Sequence, residues 1–374
     1  MLGLPVLSAL AGFAPSLVVF LGSWLFMVCT GLLMLEVNLW FKDQDVSIIS
    51  MADRTLGLWG KIIGWVGFLF LFYTLMVAYL QGTGELLAFF YREFTGLHMP
   101  VWLGSFIGAG IFGLMVYLGT HAVDLFNRIL MLGLIASYAF LIFLGSAYVD
   151  SNNLKHVDWS LAYLMIPAMI ISFGYHNLIP TLTTYLRGDA KRLILTILLG
   201  SALALIVYLI WEWLVLGLVP AEHFRTSLDV GDMAAATLKK AIGTSWVVDL
   251  AHYFSFFAVV TSFLGVALSF VDFLADGLHI KKDAKGKLLL CLLVIVIPLL
   301  FSLSYPKIFL VALSYAGGFG AVLLFGILPA SMVWAGRYRK GIEGLRLLPG
   351  GKFALLVIIA LSLWVMFLQL RVDV

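Results

Sequence analysis

A histidine stands near the middle of an otherwise apolar stretch. The segment Ser172-Phe173-Gly174-Tyr175-His176-Asn177, followed by Pro180, interrupts a hydrophobic run at 161–187. An imidazole titrates near about pH 6.5, so His176 has the chemistry of a proton carrier or of a hydrogen-bond partner for a hydroxyl. The competing reading is a neutral ring bonded to a backbone carbonyl. Glycine and proline weaken the helix here, and polar groups at mid-depth need something polar to face. The unwound backbone offers a half-helix N-terminus to an anion and freed carbonyls to a cation. Gly174 permits close approach, and Phe173 and Tyr175 can line an aromatic slot; the alternative is a kink that merely bends a lipid-facing helix. Thr261 and Ser262 lie in the middle of the run at 245–275. Hydroxyls there can bond the preceding turn; as chemistry alone, two hydroxyls without a carboxylate make a poor proton site but an acceptable part of a sodium site. Tyr79 and Gln81 are two residues apart, so both cannot face one cavity squarely.

The other intramembrane titratable groups, Glu36, Glu85, Glu212, Asp249, His252 and Asp272, lie near the ends of their runs, where snorkelling relieves much of the cost. Glu36 and Glu212 read as structural groups at helix ends, and Trp211 and Trp213 as part of an aromatic belt. Cys29 and Cys291 sit inside apolar runs and suggest neither a metal site nor a disulfide. Gly82-Thr83-Gly84 has no following Lys and is no phosphate loop. Gly104, Gly108, Gly110, Gly317, Gly318 and Gly320 read as close-packing surfaces. An intramembrane enzyme would need a catalytic pair at depth, and His176 has no titratable neighbour in sequence. The expectation is therefore no catalytic residue, no metal and no cofactor.

The elements that position these groups are set by composition. The 374 residues are 63% hydrophobic and 11% charged, against roughly 45–50% and 25% in soluble domains. That excludes a soluble enzyme, a secreted disulfide scaffold, a disordered chain and a nucleic-acid binder. Apolar runs fall at about 2–13, 15–41, 60–90, 98–118, 121–149, 161–187, 191–218, 245–275, 287–304, 307–336 and 352–370, with spans needing about 20 residues each. They lack the alternation of barrel strands, so they read as eleven membrane helices. A short surface helix is expected within 219–244. Summed on alternate sides, Lys and Arg divide 16 to 7, which makes the richer side cytoplasmic.

Two runs are irregular: the first is too short to cross, and the sixth is broken. Met1-Leu2-Gly3-Leu4-Pro5 aligns with His176-Asn177-Leu178-Ile179-Pro180 at an offset of 175, and Glu36 meets Glu212 at 176. The order of broken helix, then long helix with a late Glu, recurs with opposite orientation. Interrupted helices at corresponding positions of two halves point to a transporter's binding site.

These residues resemble a known family. Met1-Leu2-Gly3-Leu4-Pro5-Val6, Thr30-Gly31-Leu32-Leu33-Met34-Leu35-Glu36, Gln81-Gly82-Thr83-Gly84-Glu85, Ser172-Phe173-Gly174-Tyr175-His176, Thr261-Ser262-Phe263-Leu264-Gly265-Val266 and Asp272-Phe273-Leu274-Ala275-Asp276-Gly277 look like the aromatic amino acid permeases, the tyrosine- and tryptophan-specific transport proteins of the amino acid–polyamine–organocation superfamily. The likeness covers essentially the whole chain. It implies an all-α membrane protein of the bacterial inner membrane with a LeuT-type five-plus-five inverted repeat: 1–149 (helices 1–5, helix 1 partial), 150–336 (helices 6–10), and 337–374 (a cytoplasmic loop and helix 11). It further implies uptake of an aromatic amino acid, tyrosine before tryptophan, by alternating access, coupled to protons with sodium as the alternative. Membrane lipids are the expected surroundings, with no nucleic acid and no obligate protein partner. Expected at the substrate are Leu2, Gly3, Leu4, Ser172, Phe173, Gly174, Tyr175, His176, Tyr79 and Gln81; expected at the coupling ion are His176, Thr261 and Ser262, the last two facing helix 1. Relatives of this kind carry a Gly-rich segment and a further half-helix before the first motif, so helix 1 is expected to be truncated here, either in the protein or by an internal start. A truncated non-transporting paralogue and a passive facilitator or channel stand as alternatives.

Overall fold

The computed structural model describes residues 3–41, 47–220, 245–305 and 308–371, with the side chains of 245–248 left aside. Leu2 and residues 221–244 of the expected surface helix lie outside the described residues. Within them the chain is all-helical. Its elements are α1 (Leu4–Ser8), α2 (Phe13–Trp40), α3 (Ile48–Leu56), α4 (Leu58–Thr95), α5 (Val101–Leu118), α6 (Thr120–Gly145), α7 (Ile166–Ser172), α8 (Ile179–Tyr185), α9 (Ala190–Leu218), α10 (Ser245–Gly277), α11 (Ala284–Ser304), α12 (Phe309–Tyr315), α13 (Leu328–Tyr338) and α14 (Gly351–Gln369). Among the described residues ten helical segments are long and apolar enough to cross a membrane.

The first run differs from the rest. It holds only the five residues of α1, about 7.5 Å of helix, which cannot cross a hydrocarbon core of about 30 Å. Pro5 lies in its first turn, where a missing N–H costs no intrahelical bond. The chain then turns at Gly12, whose φ is +90°. A Cβ there would lie 1.9 Å from the His156 carbonyl oxygen, so only glycine lets the loop at 150–158 close over this corner. That loop grips it: the Asp158 N–H donates to the Ala11 carbonyl at 2.7 Å, and His156 Nε2 donates to the Leu10 carbonyl at 2.8 Å.

The break in the sixth run falls where glycine and proline predict it. Helix α7 stops at Ser172, a single 3₁₀ turn covers His176–Leu178, and α8 restarts at Ile179 with Pro180 in its first turn. The tenth run is less regular than its apolar pattern suggests. Between α12 and α13 lies a π-helix, Ala316–Ile327, a wide-turned form that is rare and concentrates at functional sites. Its glycines face neighbouring backbone and side chains: a Cβ on Gly317 would meet the Pro167 carbonyl oxygen at 1.8 Å, and one on Gly318 would meet Gln369. Gly104 packs equally closely on Gly84, but Gly110 faces open space and is no packing surface.

Burial sorts the helices into a centre and a rim. The span Phe309–Tyr338 is 67% buried, whereas α9 and α14 are 22% buried. On α9, Leu195, Leu199, Leu203, Ile206 and Ile210 are all exposed; their three-to-four spacing makes one apolar stripe for lipid.

Candidate functional site

The broken helix opens onto a cavity of about 920 Å³, within the range of small-molecule sites. Gly3 of the first break and Ser172, Gly174 and Asn177 of the second line it, as do Tyr79 of α4 and Thr261 and Ser262 of α10. Its walls mix aliphatic side chains with the aromatic rings of Phe72, Tyr138, Tyr208, Phe254, Phe309 and Phe325. Among the described residues no charged side chain lines it. The polar edge therefore consists of hydroxyls, one amide and the backbone of the break, where Gly174 and Asn177 are exposed.

Each polar group has a definable place. Tyr208 donates its hydroxyl proton to the Ser172 carbonyl at 2.8 Å, holding one of the carbonyls freed where α7 ends. Thr261 donates to Phe257 O at 2.7 Å, the bond to its own preceding turn. Ser262 faces the Tyr79 hydroxyl.

The remaining expected site residues do not line the cavity, each for a visible reason. His176 is fully buried behind it, with Nε2 3.0 Å from the Thr30 hydroxyl. Its ring stacks at 4.6 Å on Phe325, whose own ring lines the cavity. Nδ1 has no hydrogen-bond partner among the described residues. Tyr175 turns to α2 and donates to the Met27 carbonyl at 3.0 Å; Gly31 makes the room, because a Cβ there would lie 2.3 Å from the Tyr175 hydroxyl. Phe173 is buried edge-on against Tyr208 and Phe20. Leu4 is buried in the core. Gln81 donates to Glu85 at 3.1 Å and accepts from Ser302 at 3.0 Å, so of the two neighbours on α4 Tyr79 alone faces the cavity.

Sequence reasoning missed Tyr208, Phe309 and Phe325, which sit in apolar runs without any polar neighbour to mark them. Asn177 was visible in the broken motif but carried no role. It also misplaced two acids and a tryptophan. Glu36 and Glu212 do not snorkel: they are 1% and 0% exposed. Trp211 is fully buried on Phe254, 4.8 Å between ring centroids, and belongs to no interfacial belt. Among the described residues no cluster of three or more His, Cys, Asp or Glu is placed to hold a metal ion, and both cysteines are free.

Comparison with known proteins gives this cavity its relatives. A solved structure with the same architecture is the crystal structure of MhsT in complex with L-phenylalanine, with a TM-score of 0.59 at 14% identity over 98% of this chain and 93% of that one; at that identity the likeness establishes the LeuT-type fold. Tyrosine-specific transport system 1 of Haemophilus influenzae is 33% identical over 90% of this chain and 84% of its own length. Tyrosine-specific transport system 2 of the same organism is 30% identical over 100% and 93%, and its tryptophan-specific transport protein is 29% identical over 91% and 84%. The family model for tryptophan/tyrosine permeases matches residues 1–369. With a cavity partly walled by aromatic rings at a broken helix, a LeuT-type fold, and that model matching residues 1–369, the chain belongs to the tryptophan/tyrosine permease family.

Proposed function

We propose that this chain imports an aromatic amino acid, tyrosine before tryptophan, across the bacterial inner membrane by proton-coupled alternating access. The observation that carries the reading is the cavity against the helix break, with aromatic rings in its wall and no charged side chain among its described lining residues. A free amino acid is a zwitterion, and such a wall meets its two charges with backbone dipoles and hydroxyls. An aromatic side chain buries about 150–250 Å²; at about 25 cal/mol per Å² that contributes roughly 4–6 kcal/mol toward binding. The names of the relatives support the substrate class.

In this reading Gly3, Ser172, Gly174 and Asn177 hold the amino and carboxyl groups, with Leu2 and Leu4 flanking the first break. Tyr79 and Tyr208 edge the ring slot. His176, Tyr175 and Phe173 act behind the wall by fixing the break to α2, and Gln81 ties α4 to α11. Thr261 and Ser262 face the first half-helix. The chain is read as two inverted repeats, 1–149 and 150–336, with 337–374 following, and α1 counts as part of an eleventh helix. Two facts support the repeat: Pro5 and Pro180 each sit in the first turn of a short helix, and the long helix that follows each break carries a buried glutamate near its end.

The test is uptake of labelled tyrosine, tryptophan and leucine by proteoliposomes, with and without an inward proton gradient. Gradient-stimulated uptake of the aromatic substrates over leucine is expected; equal uptake of leucine, or no effect of the gradient, refutes the reading.

A further inference from the structure

Glu36 and Glu212 hold corresponding places in sequence, but their surroundings differ. Both are buried. Glu36 has three donors: Arg337 Nε at 2.6 Å, Arg337 Nη2, and the Leu347 N–H at 2.9 Å. A full positive charge and three protons thus compensate it. Among the described residues Glu212 has one donor. Its bonds are both to the Ser8 hydroxyl, 3.0 Å from each carboxylate oxygen, and one hydroxyl proton serves one oxygen at a time. Around it lie Val6, Trp211, Leu214, Val215 and Phe254, all at most 1% exposed. A carboxylate so placed, without a bonded cation among the described residues, is costly to keep charged.

The elements against the outer half of α9 carry Tyr148, Asp150, Lys155 and His156 in the loop and Asp249 and His252 on α10. Two of these titratable groups have partners elsewhere, Lys155 on Asn152 and His156 on the Leu10 carbonyl. Among the described residues no cation pairs with Glu212.

We infer that Glu212 is a proton-binding site of the transport cycle, linked through the Ser8 hydroxyl to the half-helix α1. The inference rests on the proton-coupled reading above. Ser8 is the last residue of α1. Glu212 lies six residues before the end of α9 at Leu218, about 9 Å inside that end, on the side assigned to the exterior by the charge asymmetry. Any displacement of α1 separates the hydroxyl from the carboxylate and admits water. Loading is a proton transfer alone: hydronium gives a proton to the carboxylate and leaves water, and release reverses it.

Two measurements on the purified full chain test this. In pH-difference infrared spectra, a carboxylic-acid C=O band that disappears in Glu212→Gln and shifts in Ser8→Ala is expected. Spectra of wild type and Glu212→Gln that coincide in that region at every pH overturn the site. In proteoliposomes a gradient of about one pH unit supports about tenfold accumulation with one coupled proton. The ratio of uptake with and without the gradient should fall to one in Glu212→Gln, and a ratio equal to wild type overturns the role in the cycle. Wild-type uptake indifferent to the gradient instead refutes the coupling reading, and the infrared band then reports on proton binding by itself. If Glu212→Gln does not fold, the Ser8→Ala band shift decides: a band unmoved by loss of the hydroxyl overturns the link.

Discussion

Replacing Arg337 with methionine should destabilise the protein more than replacing it together with its partner. Arg337 and Glu36 are 3% and 1% exposed at their side chains, and the pair joins α2 to α13. The Leu347 N–H, from the segment after α13, completes the set. Removing the guanidinium alone leaves a buried carboxylate with one neutral donor, a loss of about 3–5 kcal/mol. Replacing both Glu36 and Arg337 with methionine removes two charges. That exchange is neutral to about 1–4 kcal/mol stabilising, offset by about 1–3 kcal/mol for the Leu347 N–H left without an acceptor. The double variant should therefore lie close to wild type, several kcal/mol above Arg337→Met. Reversible unfolding in mixed micelles, followed by tryptophan fluorescence, gives the comparison directly. If Arg337→Met is as stable as the double variant, the carboxylate is solvated or otherwise compensated, and the account of this pair is wrong.

Three further outcomes follow from the same geometry. Tyr208→Phe removes the donor to Ser172 O and should cost about 1–3 kcal/mol while raising the KM for tyrosine, read from initial uptake rates across substrate concentrations. Thr30→Val leaves His176 Nε2 without its partner and should lower the thermal midpoint by an amount equivalent to about 1–3 kcal/mol; an unchanged midpoint would mean that the imidazole finds another bond. Gly317→Ala places a methyl against the Pro167 carbonyl oxygen and should cost about 1–3 kcal/mol through overpacking, with uptake reduced at unchanged membrane abundance, measured by immunoblot beside the transport assay.

What the sequence showed and what it concealed divide along a physical line. The break at Ser172–Leu178 was legible because glycine, proline and histidine inside an apolar run violate the helix pattern locally. Partners distant in the chain were not: Glu36 meets an arginine 301 positions away and Glu212 a serine 204 away. Nothing in either local sequence distinguishes a paired acid from one held by a hydroxyl. Placement near a run's end suggested snorkelling, but the helices pack more deeply there than an isolated span allows. His176 was singled out correctly as a group at depth, yet whether it faces the cavity depends on Phe325, a residue with no polar signal. The π-helix is likewise silent, since Ala316–Ile327 reads as ordinary apolar helix.

The uncharged lining of the cavity fixes how the membrane voltage acts on transport. A zwitterionic amino acid carries no net charge, and the walls around it add none. In the proton-coupled reading proposed above, the charge displaced per cycle is then that of the coupling ion alone. With one proton per substrate, each 100 mV contributes about 2.3 kcal/mol, which multiplies accumulation by about fifty. Uptake by this chain should thus respond to an imposed potassium diffusion potential even where no pH difference exists, and the current it carries should reverse sign with that potential.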